Sequence, residues 1–122
     1  MSETTAEQIS AAARKHCEQV ILPEVAAWEA SMRYPRKQTV IAGADGLLGL
    51  YCPPEHGGQG LSFAEAIPVF EELGRGAGLY SFSLSMHNIV AYAVSGFGQP
   101  AFRDALEGTP HVRRGAGQLR TY

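Results

Sequence analysis

A chain of 122 residues, 45% hydrophobic and 18% charged, has room for one domain with a modest core, and this balance excludes an intrinsically disordered polymer. Ten Lys and Arg against twelve Asp and Glu leave a formal charge of -2, which offers no positive field to nucleic acid or to an anionic membrane. Two cysteines do not make a disulfide framework, no apolar run approaches the roughly 20 residues of a membrane span, and a start carrying Glu3 and Glu7 is neither a secretory nor a transit signal.

The expected compartment is therefore the cytoplasm. Along the chain, Thr4-Thr5-Ala6-Glu7 reads as a capping box that opens a first helix. Ile9, Ala13, Cys17, Val20, Ile21 and Trp28 recur at three- and four-residue steps and share one face of it. Pro23 predicts a kink, or a break and restart near Leu22, because proline lacks an N–H and clashes with the preceding turn. Tyr34-Pro35 marks the next boundary, since a residue before proline is pushed out of the helical region. A short helix with Val40 and Ile41 on its apolar side comes next and ends at Gly43, Asp45 and Gly46. The stretch from Leu47 to Tyr51 is apolar but short and broken by glycine, which predicts a buried connector.

Cys52 to Gly60, with two prolines and three glycines, is a shaped loop. Ser62-Phe63-Ala64-Glu65 is a second capping box, and Phe63, Ala66, Ile67, Phe70 and Leu73 place an apolar stripe on the helix it opens, with Pro68 bending it. Gly74-Arg75-Gly76-Ala77-Gly78 reads as the stop. Phe82, Met86, Ile89, Val90, Ala93 and Phe97 then mark a nearly all-round apolar helix, which belongs in the middle of a bundle. Pro100 to Leu106 make a last short helix before Gly108. No segment alternates with period two, so the expectation is all-α: an up-and-down bundle of four to five helices over residues 1–108, with residues 109–122 a disordered tail bearing Arg113, Arg114 and Arg120.

The strings Ala44-Asp45-Gly46-Leu47-Leu48-Gly49-Leu50, Pro54-Glu55-His56-Gly57-Gly58-Gln59-Gly60-Leu61-Ser62 and Glu71-Glu72-Leu73-Gly74-Arg75 resemble, in order and spacing, the N-terminal domain of acyl-CoA dehydrogenases. Ile21-Leu22-Pro23, Trp28-Glu29 and Tyr34-Pro35-Arg36 fit the same family, and the likeness runs from about Ala11 to Glu107. The resemblance implies an FAD-dependent oxidoreductase in fatty acid metabolism, which oxidises the α–β bond of an acyl-CoA thioester once a carboxylate has removed the α-proton. It also implies a flavin-binding β-domain and a second helical domain, the latter bearing that carboxylate. After Leu106 the family pattern is lost, and the expectation is a chain truncated or shifted in frame, inactive alone and without tight FAD binding.

By position, the resemblance places Phe82, Ser83, Met86 and Val90 on the helix that contributes to the acyl pocket. The same aromatic, Met and Val stripe also suits plain bundle core, and both readings stand on sequence alone. The Pro54–Gly60 loop could cradle a phosphate, but no Lys-Ser or Lys-Thr pair comes after it and no strand precedes it, so a structural turn or a docking edge for the β-domain is expected. Glu71 and Glu72 point about 100° apart and are no catalytic dyad; an ion pair with Arg75 is the expectation. Cys52 and His56 alone do not make a metal site, and His87-Asn88 suits polar contacts to helix ends or to a neighbouring domain. The alternatives from another class are a non-catalytic interaction module that pairs with itself or another subunit, and a non-functional truncated product.

Overall fold

Helix α1, Glu3–His16, starts upstream of Thr4, so that residue lies inside the helix rather than capping it as its sequence suggested. It runs into one π-type turn, Cys17–Ile21, closed by Leu22 N donating to Cys17 O at 2.9 Å. Pro23 then ends the helical run: its ring cannot tolerate the carbonyl a turn below, so the chain breaks at residues 22–24 and restarts as α2, Val25–Ala30. The break was legible in sequence; the widened turn before it was not. The computed structural model describes residues 3–97, so the expected helix from Pro100 and the tail from Thr109 lie outside the described residues.

Helix α3, Arg36–Ala44, begins directly after Pro35. Gly46, at φ 80°, ends it: the amides of Gly46 and Leu47 reach back to the carbonyls of Gly43 and Ala42 at 3.1 and 2.9 Å. Gly43 lies within the helix. Its inner side is made of Thr39, Ala42 and Gly43, whereas Val40 and Ile41 are only half-buried. The connector between α3 and the next loop is buried as expected, with Leu47, Leu48 and Leu50 fully enclosed.

Helix α4, Phe63–Gly76, opens on the expected capping box: Ser62 Oγ accepts from Glu65 N at 3.1 Å, and the Glu65 carboxylate accepts from Ser62 N at 3.0 Å. Its buried residues are Ala66, Val69 and Leu73, while Phe63 and Ile67 are exposed, so the true inner stripe is turned from the one read off the sequence. The expected stop at Gly74 is also displaced, because α4 continues to Gly76. A Cβ on Gly76 would lie 2.7 Å from Ile21 Cγ2 and 2.9 Å from Cys17 Sγ, so this glycine allows α4 to cross the first helical segment closely. After Ala77 the chain enters α5, Gly78–Phe97.

Five α-helices and no strand are present among the described residues, which makes the chain all-α. The core joins Ile9, Ala13, Cys17 and Ile21 of the first helical segment to Ala66, Val69 and Leu73 of α4, with the connector leucines and Leu84 of α5 completing it. Burial of the Leu, Ile and Val side chains among them contributes roughly 1.5–3 kcal/mol each. The position of α5 departs most from expectation: it covers one side of the core instead of running through the middle.

Candidate functional site

The inner side of α5 holds Tyr80, Ser81, Leu84, Asn88, Ala91 and Ser95. Polar groups dominate it, and they are bonded. Asn88 accepts from Leu50 N at 2.8 Å and donates to Leu47 O and Leu84 O at 2.9 and 2.8 Å, tying α5 to a connector that has no helix to satisfy its backbone. Ser81 donates to Phe70 O at 3.1 Å. Leu84 apart, the large apolar side chains of α5 are mostly on the opposite side, facing outward.

Of the residues expected at an acyl pocket, Phe82 is 63% exposed, Met86 45% and Val90 55%. Ser83 is half-buried, with its hydroxyl 3.4 Å from Tyr34 Oη. Leu79, Ile89 and Phe97 extend the same exposed stripe. Within the described chain these residues are not core, because they lie opposite the enclosed Leu84 and Asn88. Beside Ser83 opens a cleft of about 630 Å³, walled by Trp28, Met32, Tyr34, Leu79 and Tyr80. Met32, at its lip, is exposed and holds a left-handed φ of 55°, an unusual conformation for a residue with a Cβ.

Beneath the cleft lies a polar chain that periodicity alone did not single out. His16 Nδ1 is 3.0 Å from Asp45 Oδ2, its Nε2 is 2.9 Å from Tyr80 Oη, and that hydroxyl also lies 3.1 Å from Gln38 O. His16 sits three residues beyond Ala13 on the buried face of α1, a spacing that could have flagged it. Burial lowers its pKa below the usual 6.5, against the opposing pull of Asp45. Neutral His16 then donates from Nδ1 to the carboxylate, while the Tyr80 hydroxyl, which donates to Gln38 O, lies against its Nε2; burial pushes that phenol up, and it stays protonated. The unfolded chain takes up a proton at His16 below pH 6.5 that the folded chain resists, so stability should fall as pH drops through 6.5 towards the folded value. Urea midpoints measured between about pH 7.5 and about pH 5.5 should decline in the wild type and decline less in His16→Phe. Equal slopes in the two proteins would remove His16 as the cause.

The loop from Cys52 turns through a 3-10 segment, Pro54–His56, and Gly57 and Gly60 take φ of 85° and 66°. Most of its amides are used internally. Those of His56 and Gly58 donate to Pro53 O, Gly57 to Pro54 O, Gln59 to Gly49 O, Gly60 to Cys52 O and Leu61 to Leu50 O. Amides spent in this way are not available to a pyrophosphate. Glu72 pairs with Arg75 at 2.6 Å, as expected, and also with Arg14 at 3.1 Å, and these cations hold its carboxylate below the usual range. No group of three or more potential metal ligands occurs among the described residues, and no helix among them is long and apolar enough to cross a membrane.

The chain is similar to known proteins along most of its length. The family described as acyl-CoA dehydrogenase, N-terminal domain, matches residues 3–106. The chain is similar to the mitochondrial isovaleryl-CoA dehydrogenase of Oryza sativa subsp. japonica, at 30% identity over 102 residues, covering 81% of this chain and 25% of that protein. It is also similar to the 3-sulfinopropanoyl-CoA desulfinase of Paraburkholderia xenovorans (strain LB400), at 32% identity over 68 residues, covering 56% of this chain and 18% of that protein. The chain thus spans a quarter or less of these curated relatives. No solved structure matches it significantly.

Proposed function

Because this chain belongs to the acyl-CoA dehydrogenase family through its N-terminal helical domain, we propose that the outer stripe of α5 forms one wall of an acyl-thioester site in a complete enzyme. The observation that carries this reading is the direction in which Phe82, Met86 and Val90 face: a helix without a single Asp, Glu, Lys or Arg turns most of its large apolar side chains to water. Contiguous apolar surface of that kind marks a site that something else covers.

The names of the two relatives share a CoA thioester and differ in the reaction, one a dehydrogenase and the other a desulfinase. That contrast suits a domain whose share of the work is to accommodate the acyl group and exclude water. In this reading Phe82, Met86 and Val90 contact the acyl chain, Ser83 lies at the cleft beside it, and a flavin-binding β-domain closes over the stripe. FAD and the proton-abstracting carboxylate belong to those further domains, where FAD would supply the hydride acceptor for α,β-oxidation.

The test joins the chain to the flavin-binding and C-terminal domains of a family member. Met86→Asp should raise KM for acyl-CoA at least about tenfold while flavin content is unchanged, since an unpaired carboxylate in an apolar pocket costs more than the about 1.4 kcal/mol that a factor of ten represents. An unchanged KM would remove α5 from the acyl site.

A further inference from the structure

Leu79 and Ser83, which line the cleft, share a side of α5 with Met86 and Val90, at steps of four, three and four residues. From Val90 to Ser83 the helix rises by roughly 10 Å. An acyl group laid along that side therefore ends in the cleft, which is bounded by Trp28 of α2, by the turn at Met32 and Tyr34, and by α5 itself. Its walls differ from the aliphatic stretch before it. Trp28 packs on Tyr80 at 5.6 Å between ring centroids, Tyr34 stands beside them, and the space of about 630 Å³ is more than a single methyl terminus occupies. Two of these rings are anchored by their hydroxyls. Tyr80 Oη lies 2.9 Å from His16 Nε2 and donates to Gln38 O at 3.1 Å, while Tyr34 Oη accepts from Thr39 Oγ1 at 3.2 Å and lies 3.4 Å from Ser83 Oγ. Rings held in this way lose little freedom when something packs on them.

We propose that the cleft takes an aromatic ring at the far end of the acyl group, so that ring-bearing acyl thioesters are the class this domain prefers. The proposal rests on the acyl-site reading of α5 and names the kind of acyl group that site accepts. A ring in the cleft gains edge-to-face contacts with Trp28 and Tyr34 that an alkyl end does not make. Glu29 and Arg33, also at its wall, are opposite in sign, so the cleft offers no net charge to an ionic terminus. Met32 is the residue placed to cover the ring. It is 93% exposed at the lip and held at a φ of 55°, and its thioether closes over an aromatic occupant as sulfur does over a ring edge.

Trp28 is the only tryptophan and so reports on the cleft directly. Titration of the 122-residue protein with ω-phenylbutanoyl-CoA should give a saturable change in its emission. Half-saturation should come at a concentration at least about tenfold lower than with octanoyl-CoA, and free CoA should leave the emission unchanged. Tyr34→Ala should cut that preference to about threefold or less, and Tyr34→Phe, which keeps the ring, should preserve it. Met32→Gly relieves the left-handed strain and should not lower the urea midpoint, yet it should weaken the phenyl ester at least about threefold and the octanoyl ester little. Equal half-saturation for the two esters overturns the proposal, as does emission that neither ester changes up to about 1 mM. Neither result touches the wall formed by α5, which the KM of Met86→Asp in the joined enzyme decides without any ring, so the two readings fail separately.

Discussion

Asn88→Leu should destabilise the domain by roughly 3–5 kcal/mol, visible as a large fall in the urea midpoint, although leucine is close to asparagine in shape and is the better core residue by hydrophobicity. The reason is the connector. Leu50 N and Leu47 O lie in an enclosed segment between helices, and the Asn88 carboxamide bonds both, at 2.8 and 2.9 Å. Leucine would leave a buried donor and a buried acceptor without partners, each at about 1–3 kcal/mol. Asn88→Asp provides the matching control. A carboxylate there can accept from Leu50 N but meets the oxygens of Leu47 and Leu84, so its pKa should rise on folding. This variant should be more stable at low pH, where the acid is protonated and can donate, and should lose stability as pH rises from the unfolded carboxyl pKa towards the folded one. If Asn88→Leu leaves stability within about 0.5 kcal/mol of wild type, the connector does not depend on this residue.

The second large effect is expected at Gly58, where alanine should destabilise by roughly 2–4 kcal/mol. A Cβ at this position would lie 2.1 Å from Cys52 O and 2.5 Å from Cys52 C, backbone atoms that no side-chain rotation can move aside. Relief requires opening the loop, which breaks the hydrogen bond from Gly60 N to Cys52 O at 2.9 Å and loosens the chain that leads into α4. Gly78 is the informative contrast. A Cβ there meets nothing within 4 Å, so Gly78→Ala at the start of α5 should be neutral or stabilising by up to about 1 kcal/mol, through the reduced freedom of the unfolded chain. Comparable losses in both variants would mean that backbone freedom, not close approach, sets the cost at Gly58.

Several features of the fold were legible in residues because their cause is local. Pro23 cannot continue a helix in any surroundings, and the chain breaks where it stands. Ser62 and Glu65 satisfy each other's backbone donors within one turn, so their capping box needed nothing from the rest of the molecule. Gly76 shows the limit of such reasoning. Read locally it is a helix stop, yet its lack of a side chain answers to Ile21 and Cys17, far away in sequence.

The candidate site shows the same division more sharply. Phe82, Met86 and Val90 were singled out by helical spacing and, together with Ser83, by resemblance to a family, and the spacing indicated which residues share a face. Neither could say where that face points. Apolar periodicity predicts the inner side of a helix only when the polar side has no reason to be buried, and here Asn88, Ser81 and Tyr80 have partners that hold them inside.

The sequence by itself determined that this chain is a set of helices broken at particular prolines and glycines, and that it carries the N-terminal pattern of its family. Only the tertiary structure decided that α5 turns its apolar stripe outward and that His16 and Asn88 stitch the interior. Helix formation depends on neighbours within a turn, whereas the choice of buried face depends on which distant backbone groups are left needing a partner.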